Sequence, residues 1–323
     1  MPKLIDGCGR EIDHLRLSLT DHCNLACRYC VAEGARPSGR MIDLSFAYEI
    51  VRWLSEEHGI RHLRLTGGEP LLYPGLLPLL KRLATLSSLD DISLTTNGQA
   101  LAHLARPLRD VGLVRVNVSL DSLDARQFAH ITRGGSLAHT LAGIEAAVEV
   151  GLTPVKINVI AQRRLNEQEL ADIAKWGLDR GCIVRFLEVM PIGPLAHVVE
   201  EHLVPADEII ERLSEHFTLR PMAQRAGQPA VDYAAEREGM CGVIGIIAPT
   251  TRPFCSRCRR LRVTSQGMLV ACLHDNRHFD LKPWWNGHAL AIAGADAALR
   301  ATVAGKPAVG SRSQSLTMLS LGG

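Results

Sequence analysis

The feature that most restricts the fold of this chain is a period-two alternation that leaves one face polar on strand after strand. Leu15, Leu17 and Leu19 alternate with Arg16, Ser18 and Thr20; Leu63 and Leu65 alternate with His62, Arg64 and Thr66. Ile92 and Leu94 alternate with Ser93, Thr95 and Asn97. Val114, Val116 and Val118 alternate with Arg115, Asn117 and Ser119, and Val155, Ile157 and Val159 with Lys156 and Asn158. Strand-like segments of this kind fall at 14–20, 61–66, 91–96, 113–120, 154–160 and 182–189. Between them run helical periods. Leu137, Leu141, Ile144 and Val148 share one face, and Asn166 with Glu169 reads as a capping box ahead of Leu170, Ile173, Ala174 and Leu178, with Gly181 as the stop. Repeated βα units imply a parallel sheet with helices outside it. Helices on both faces would make both faces apolar. A persistently polar face therefore predicts an α/β fold in the form of a partial (β/α)6 barrel with an open interior and its chemistry at the C-terminal ends of the strands. The competing arrangement is a doubly wound sheet with a few exposed alternations.

The pattern changes after about 205. Pro205 to Phe217 reads as a helix, short strands follow through 231–272, and a helical stretch lies near 288–303. This divides the chain into a barrel over 1–220 and a smaller α+β region over 221–323, whose tail from Lys306, rich in Gly and Ser, is expected to be loosely ordered. The first residues carry no apolar signal segment and no later run is long enough to span a bilayer, so a cytoplasmic location is expected. A net charge of +2 gives no bulk electrostatic reason for nucleic-acid or membrane partners.

Nine cysteines in such a chain point to metal or catalysis rather than to disulfides. Cys8, Cys182 and Cys241 stand alone and read as small inert side chains. Cys23, Cys27 and Cys30 crowd onto the loop after the first strand, as a soft metal site requires. Zinc would take four protein ligands, and His22 beside Cys23 is badly placed to be the fourth. A 4Fe–4S cluster on three cysteines leaves one iron open. Cys255, Cys258 and Cys272 form a second trio. Two readings stay open there: a zinc site completed by His274, or a second cluster with an open iron. Arg252, Arg257, Arg259, Arg260 and Arg262 interleave with it and read either as a solvated basic face or as an anion pocket.

The first trio, with Tyr29 before its third cysteine and Gly67-Gly68-Glu69-Pro70 after the second strand, resembles the radical S-adenosylmethionine (SAM) superfamily. Further segments narrow the resemblance to the GTP 3′,8-cyclases of molybdenum-cofactor biosynthesis. They are Thr-Thr-Asn-Gly at 95–98, Asn-Val-Ser-Leu-Asp-Ser-Leu-Asp at 117–124, Arg-Phe-Leu-Glu-Val-Met-Pro-Ile-Gly at 185–193, Phe-Cys-Ser-Arg-Cys at 254–258 and the terminal Gly322-Gly323. The resemblance implies two 4Fe–4S clusters, on Cys23, Cys27 and Cys30 and on Cys255, Cys258 and Cys272, with the guanine of GTP at the second. It implies Tyr29, Gly68, Ser119 and Met190 around SAM. Arg16, Arg64, Thr95, Lys156, Arg260, Leu261 and Arg262 would hold GTP, with Arg260, Arg262, Gly322 and Gly323 acting in catalysis.

Of these, Arg16, Arg64, Thr95, Ser119 and Lys156 already belong to the polar face; internal ion pairing is the plainer reading of the charged ones. No Gly-x4-Gly-Lys-Ser/Thr loop is present, so a triphosphate would have to be gripped by side chains. The resemblance further implies that SAM cleavage at the first cluster yields a 5′-deoxyadenosyl radical, that the radical takes the 3′ hydrogen of the GTP ribose, and that C8 of guanine is then attacked. A flavodoxin–reductase type of electron donor, cyclic pyranopterin monophosphate synthase downstream, and a homodimer are the expected partners. Two departures from the family pattern are Arg259, where Asn is usual, and His274, where an aromatic is common. The rival functions are a twin-cluster radical SAM enzyme acting on a peptide or another small molecule, and a zinc-stapled nucleic-acid module.

Overall fold

The computed structural model describes residues 3–310 apart from 36, 37, 225, 226 and 276. The six expected strands form: β1 (His14–Ser18), β2 (His62–Thr66), β3 (Asp91–Thr96), β4 (Arg115–Ser119), β5 (Lys156–Ala161) and β6 (Ile183–Glu188). They lie side by side in chain order, every neighbouring pair parallel. Parallel crossovers are right-handed, so an unbroken order keeps all connecting helices on one side of the sheet; a doubly wound sheet would need a reversal. Those helices are α1 (Leu44–Glu57), α2 (Leu76–Leu83), α3 (Leu101–Asp110), α4 (Ala125–Thr132), α5 (Leu137–Glu149) and α6 (Leu170–Asp179). The outward strand residues Leu15, Leu17, Leu63, Leu65, Val116, Val118, Ile157 and Val159 are at most 1% exposed beneath them. The polar set is left on the inner face, as in a partial barrel.

The rest of the chain extends this sheet at both edges. After α7 (Val199–His202) and α8 (Ala206–Ser214) come β7 (Thr218–Pro221), β8 (Val231–Arg237) and β9 (Met240–Ile247), an antiparallel set in which β9 runs parallel to β6. β10 (Arg260–Val263) then lies parallel to β1, followed by antiparallel β11 (Met268–Val270) and β12 (Phe279–Asp280), and finally α9 (Ile292–Ala304). The resulting order is β12-β11-β10-β1-β2-β3-β4-β5-β6-β9-β8-β7.

Three local expectations change. Asn166 caps no helix: its buried amide donates to the carbonyls of Asp121 and Ile160, and its oxygen accepts from the Gln162 N–H. The Glu169 carboxylate is taken by the Ser122 hydroxyl and the amides of Leu123 and Asp124, so α6 starts only at Leu170. The interior polar groups at the ends of β4 and β5 outcompete the local box. In α5 the most buried face is Thr140, Gly143, Ile144 and Ala147 rather than the leucines. A Cβ on Gly143 would stand 2.6 Å from the Gly98 carbonyl oxygen, so α5 presses its small-residue side against the start of α3. Third, residues 306–310 are docked rather than loose, for reasons given below.

Candidate active site

The first cysteine trio sits on the loop that leaves β1, and that loop is built by backbone contact with the one that leaves β2. The Gly68 N–H donates to the Thr20 carbonyl at 2.6 Å and the Glu69 N–H to the His22 carbonyl at 2.8 Å. Such proximity excludes side chains: a Cβ on Gly67 would lie 2.5 Å from the Thr20 oxygen, and one on Gly68 2.4 Å from the His22 oxygen. Glu69, 1% exposed, turns its carboxylate inward and accepts from the Leu71 N–H, the Thr96 hydroxyl and the Asn97 N–H. Burial raises its pKa to about 7 against those three donors. It thereby fixes the β2 and β3 loops together. The far side of the cysteine loop is tied to α4, through the Ala26 and Arg28 amides on the carbonyls of Thr132 and Ile131.

Tyr29 reaches from this loop to the one that leaves β4, where its hydroxyl donates to Asp121 at 2.9 Å; the other oxygen of Asp121 accepts from the Ile160 N–H. Burial lifts Asp121 to about 6. The same lack of solvent pushes Cys23 up to about 11 and Cys30 up to about 12.

The second trio is carried by β10 and β11. Cys255 opens a single 3-10 turn, Cys258 precedes β10, and Cys272 follows β11. Burial would raise the Cys258 thiol, yet the charges of Arg260 and Lys306 bring it down to about 6. Lys306, 4% exposed, donates to the carbonyls of Arg260 and Ala271, both at 2.6 Å. Arg10 is held by Asp6 and donates to the Cys255 carbonyl at 2.7 Å and the Pro307 carbonyl at 2.8 Å. These two buried cations dock the segment after α9 that the sequence marks as loose.

Between the trios lies a row of guanidinium groups. Arg262, Arg16 and Arg64 occupy matched register positions on β10, β1 and β2, so all three point inward at one level. Burial followed by the neighbouring arginines lowers Arg16 well below its ordinary value, and the same causes bring Arg262 to about 10 and Arg64 to about 9. Cations crowded in this way favour a bound anion.

One cavity, running along the inner face of the strands from their C-terminal ends, takes in both trios together with Arg16, Arg64, Thr95, Arg260, Arg262, Tyr29, Gly68, Ser119 and Met190. Lys156 is not in its wall. It lies on the same face of β5 as Asn158, one step towards the N-terminal end, where burial and then Arg185 hold it down at about 7. Leu261, 1% exposed, points into the outer core between the two inward arginines, so only its backbone can serve the cavity. Gly322 and Gly323 lie outside the described residues.

Residues 17–177 match the radical SAM superfamily and 182–311 match the molybdenum cofactor synthesis C family. The GTP 3′,8-cyclase of Pelotomaculum thermopropionicum is 43% identical over 281 residues, 86% of this chain and 86% of that protein. That of Geobacter sulfurreducens is 42% identical over 286 residues, 87% of this chain and 86% of that one. The chain belongs to the GTP 3′,8-cyclase family. Among solved structures, Streptococcus suis SuiB bound to S-adenosylmethionine superposes with a TM-score of 0.61 at 13% identity, covering 83% of this chain and 63% of that one. At that identity the likeness concerns the fold.

GTP 3′,8-cyclases use two 4Fe–4S clusters and SAM, and the residues present fit both clusters. All six cysteines are free thiols facing the shared cavity. A single zinc ion on thiolates draws its sulfurs to about 3.8 Å from one another, given Zn–S near 2.3 Å. Among the described residues, the side-chain group whose three donor atoms converge within 4.8 Å is Asp13, His14 and His62, at the N-terminal ends of β1 and β2, and not either cysteine trio. Three free thiols per trio, all turned to the cavity, are the ligand set on which a 4Fe–4S cluster would sit with one iron left open. His274 lines the cavity beside the second trio. Arg259, the other departure from the family pattern, turns away from the cavity to pair with Asp13 and Glu11.

The sequence reading missed Arg10, Lys306, Asp121, Arg185 and Glu188. Glu188, at the end of β6, accepts from the amides of Ala206, Thr250 and Thr251 and so holds the approach to the second trio. Arg185 does show a signal: it falls in period two with Leu187 on β6, on the same inner face as Lys156 of β5.

Proposed function

We propose that this chain is a radical SAM GTP 3′,8-cyclase, converting GTP to (8S)-3′,8-cyclo-7,8-dihydroguanosine 5′-triphosphate in molybdopterin biosynthesis. The observation that carries the reading is the single cavity with a thiol trio at either side and a row of arginines between. In this reading Cys23, Cys27 and Cys30 hold one 4Fe–4S cluster and Cys255, Cys258 and Cys272 the other. SAM bound at the first cluster supplies the radical that takes the ribose hydrogen.

The chain's own task is to hold GTP so that sugar and base meet in near-attack geometry. Arg16, Arg64, Arg260 and Arg262 grip the triphosphate, with Thr95 and, at the register level of Thr95 on β5, Lys156. Gly68, Ser119, Met190 and Tyr29 bound the SAM side, and the Tyr29–Asp121 hydrogen bond keeps the third-cysteine loop in place. The apolar wall at Val189, Ile192 and Leu195 keeps water out. Gly322 and Gly323 take part in catalysis in this reading. Functionally the chain divides into the barrel at 1–220 and the second-cluster region at 221–323.

An electron donor of the flavodoxin–reductase kind and cyclic pyranopterin monophosphate synthase as consumer of the product complete the proposal, with a cytoplasmic location and a homodimer. No helix among the described residues is long and apolar enough to cross a membrane. The test is turnover by the anaerobically reconstituted chain with GTP, SAM and a reductant. Release of the cyclised nucleotide is expected, and Cys272→Ala should still cleave SAM while forming none. Full cyclisation by that variant, or zinc without sulfide at the second trio, refutes the reading.

A further inference from the structure

The antiparallel ladder between β10 and β11 ends at the pair Arg262 and Val270. Beyond that pair the two strands separate, and each carries part of the second trio at its free end: Cys258 ahead of Arg260, Cys272 directly after Ala271. The carbonyls of Arg260 and Ala271 lie past that last pair, on opposite strands. The Lys306 ammonium inserts there and donates to both at 2.6 Å. An ammonium has no acceptor and three donors, so one buried group closes the open end of the hairpin.

Lys306 is itself held from behind. The Arg10 guanidinium donates to the carbonyl of Cys255 and to the carbonyls of residues 306, 307 and 308. The strap then passes over the trio, and the Gly310 N–H points at the Cys255 sulfur at 3.4 Å. A buried cation and an N–H aimed at a thiolate both favour extra negative charge at that place. A 4Fe–4S cluster gains one such charge on reduction.

We infer that Lys306 is the positioning residue of the second thiol trio, cross-tying the strand ends that carry Cys258 and Cys272 and favouring the reduced state of the cluster they hold. The inference rests on the reading of that trio as a cluster site. It also assigns segment 306–310 a part in the site independent of the terminal glycines.

The test is Lys306→Met, which keeps the stem and removes the donors and the charge, in the anaerobically reconstituted chain. Two readouts do not require turnover: iron per chain, and the reduced-to-oxidised ratio of each cluster at a fixed poise, read by electron paramagnetic resonance. The first cluster is the internal control. One of two outcomes is expected in the variant. Either about half the iron is lost, all from the second trio, or the second cluster is retained and its reduced-to-oxidised ratio falls about tenfold, equivalent to 59 mV for one electron. In both cases the first cluster is unchanged. Full iron content with a second-cluster ratio within twofold of the unsubstituted chain overturns the inference, as do equal changes at both clusters. If Lys306→Met does not fold, Lys306→Gln, which keeps one donor pair without the charge, is read by the same criteria. Absence of iron from the second trio of the unsubstituted chain would instead overturn the cluster reading itself.

Discussion

Gly68→Ala tests whether the first thiol loop depends on the close approach of two backbones. The added Cβ would stand 2.4 Å from the His22 carbonyl oxygen, 2.6 Å from its carbon and 2.7 Å from the Asp21 oxygen. Ordinary carbon–oxygen contact begins near 3.4 Å, so the two loops must separate by about 1 Å. The bond from the Gly68 N–H to Thr20, now 2.6 Å, would stretch to about 3.6 Å, beyond hydrogen-bonding range, and that from Glu69 to His22 would follow. Each of the two donors left without a partner costs about 1–3 kcal/mol, which gives a total of about 2–6 kcal/mol. Urea unfolding of the cluster-free chain should register that loss. Because His22 adjoins Cys23, iron analysis after reconstitution should show the first cluster depleted and the second intact. A stability change below about 0.5 kcal/mol with a full iron complement would refute the packing argument.

Three further outcomes can be checked. Lys156→Ala should weaken GTP binding by about one to two orders of magnitude, as loss of a buried cation beside the triphosphate site implies, while SAM binding stays within about twofold; equal losses by calorimetry would indicate folding damage. For Asp121, burial sets the folded pKa at about 6 against an ordinary 3.8. The stability it contributes is therefore complete below 3.8 and is lost as pH rises through 6, a change of about 3 kcal/mol at 1.36 kcal/mol per pH unit. The difference in unfolding free energy between the unsubstituted chain and Asp121→Asn should follow that course and flatten above pH 7; a flat difference from pH 4 upward would contradict it. Removing Gly322 and Gly323 should abolish product formation while equilibrium dialysis still detects SAM and GTP binding, and unchanged turnover would return them to the status of a loose end.

Much of the barrel was legible because period-two alternation is local: Leu15, Arg16 and Leu17 declare their faces without reference to the rest of the chain. The cysteine trios were legible for a similar reason, since their ligands crowd into short stretches. Pairings that span the whole chain were not. Nothing near Arg10 or Lys306 announces that each will satisfy carbonyls of the second trio's strands, and a lysine before a Gly- and Ser-rich tail has the composition of a loose end. Asn166 misled in the opposite sense. Its spacing from Glu169 is that of a helix cap, but the interior offered its amide the stronger partners. Leu261 shows the limit of carrying a motif over whole, because its side chain leaves the cavity its neighbours enter.

The pairing of β10 with β1 has a consequence for how the protein comes to be assembled. Arg16 and Arg64 meet early in synthesis, whereas Arg262 reaches them only when the C-terminal region seats its strand against the edge of β1. That last arrival adds a third guanidinium to the row, whose mutual repulsion a bound polyanion would offset. Nucleotide and late-made strand thus favour each other's place, and a chain cut short before β10 would keep a naked sheet edge where the wall of its chamber should stand.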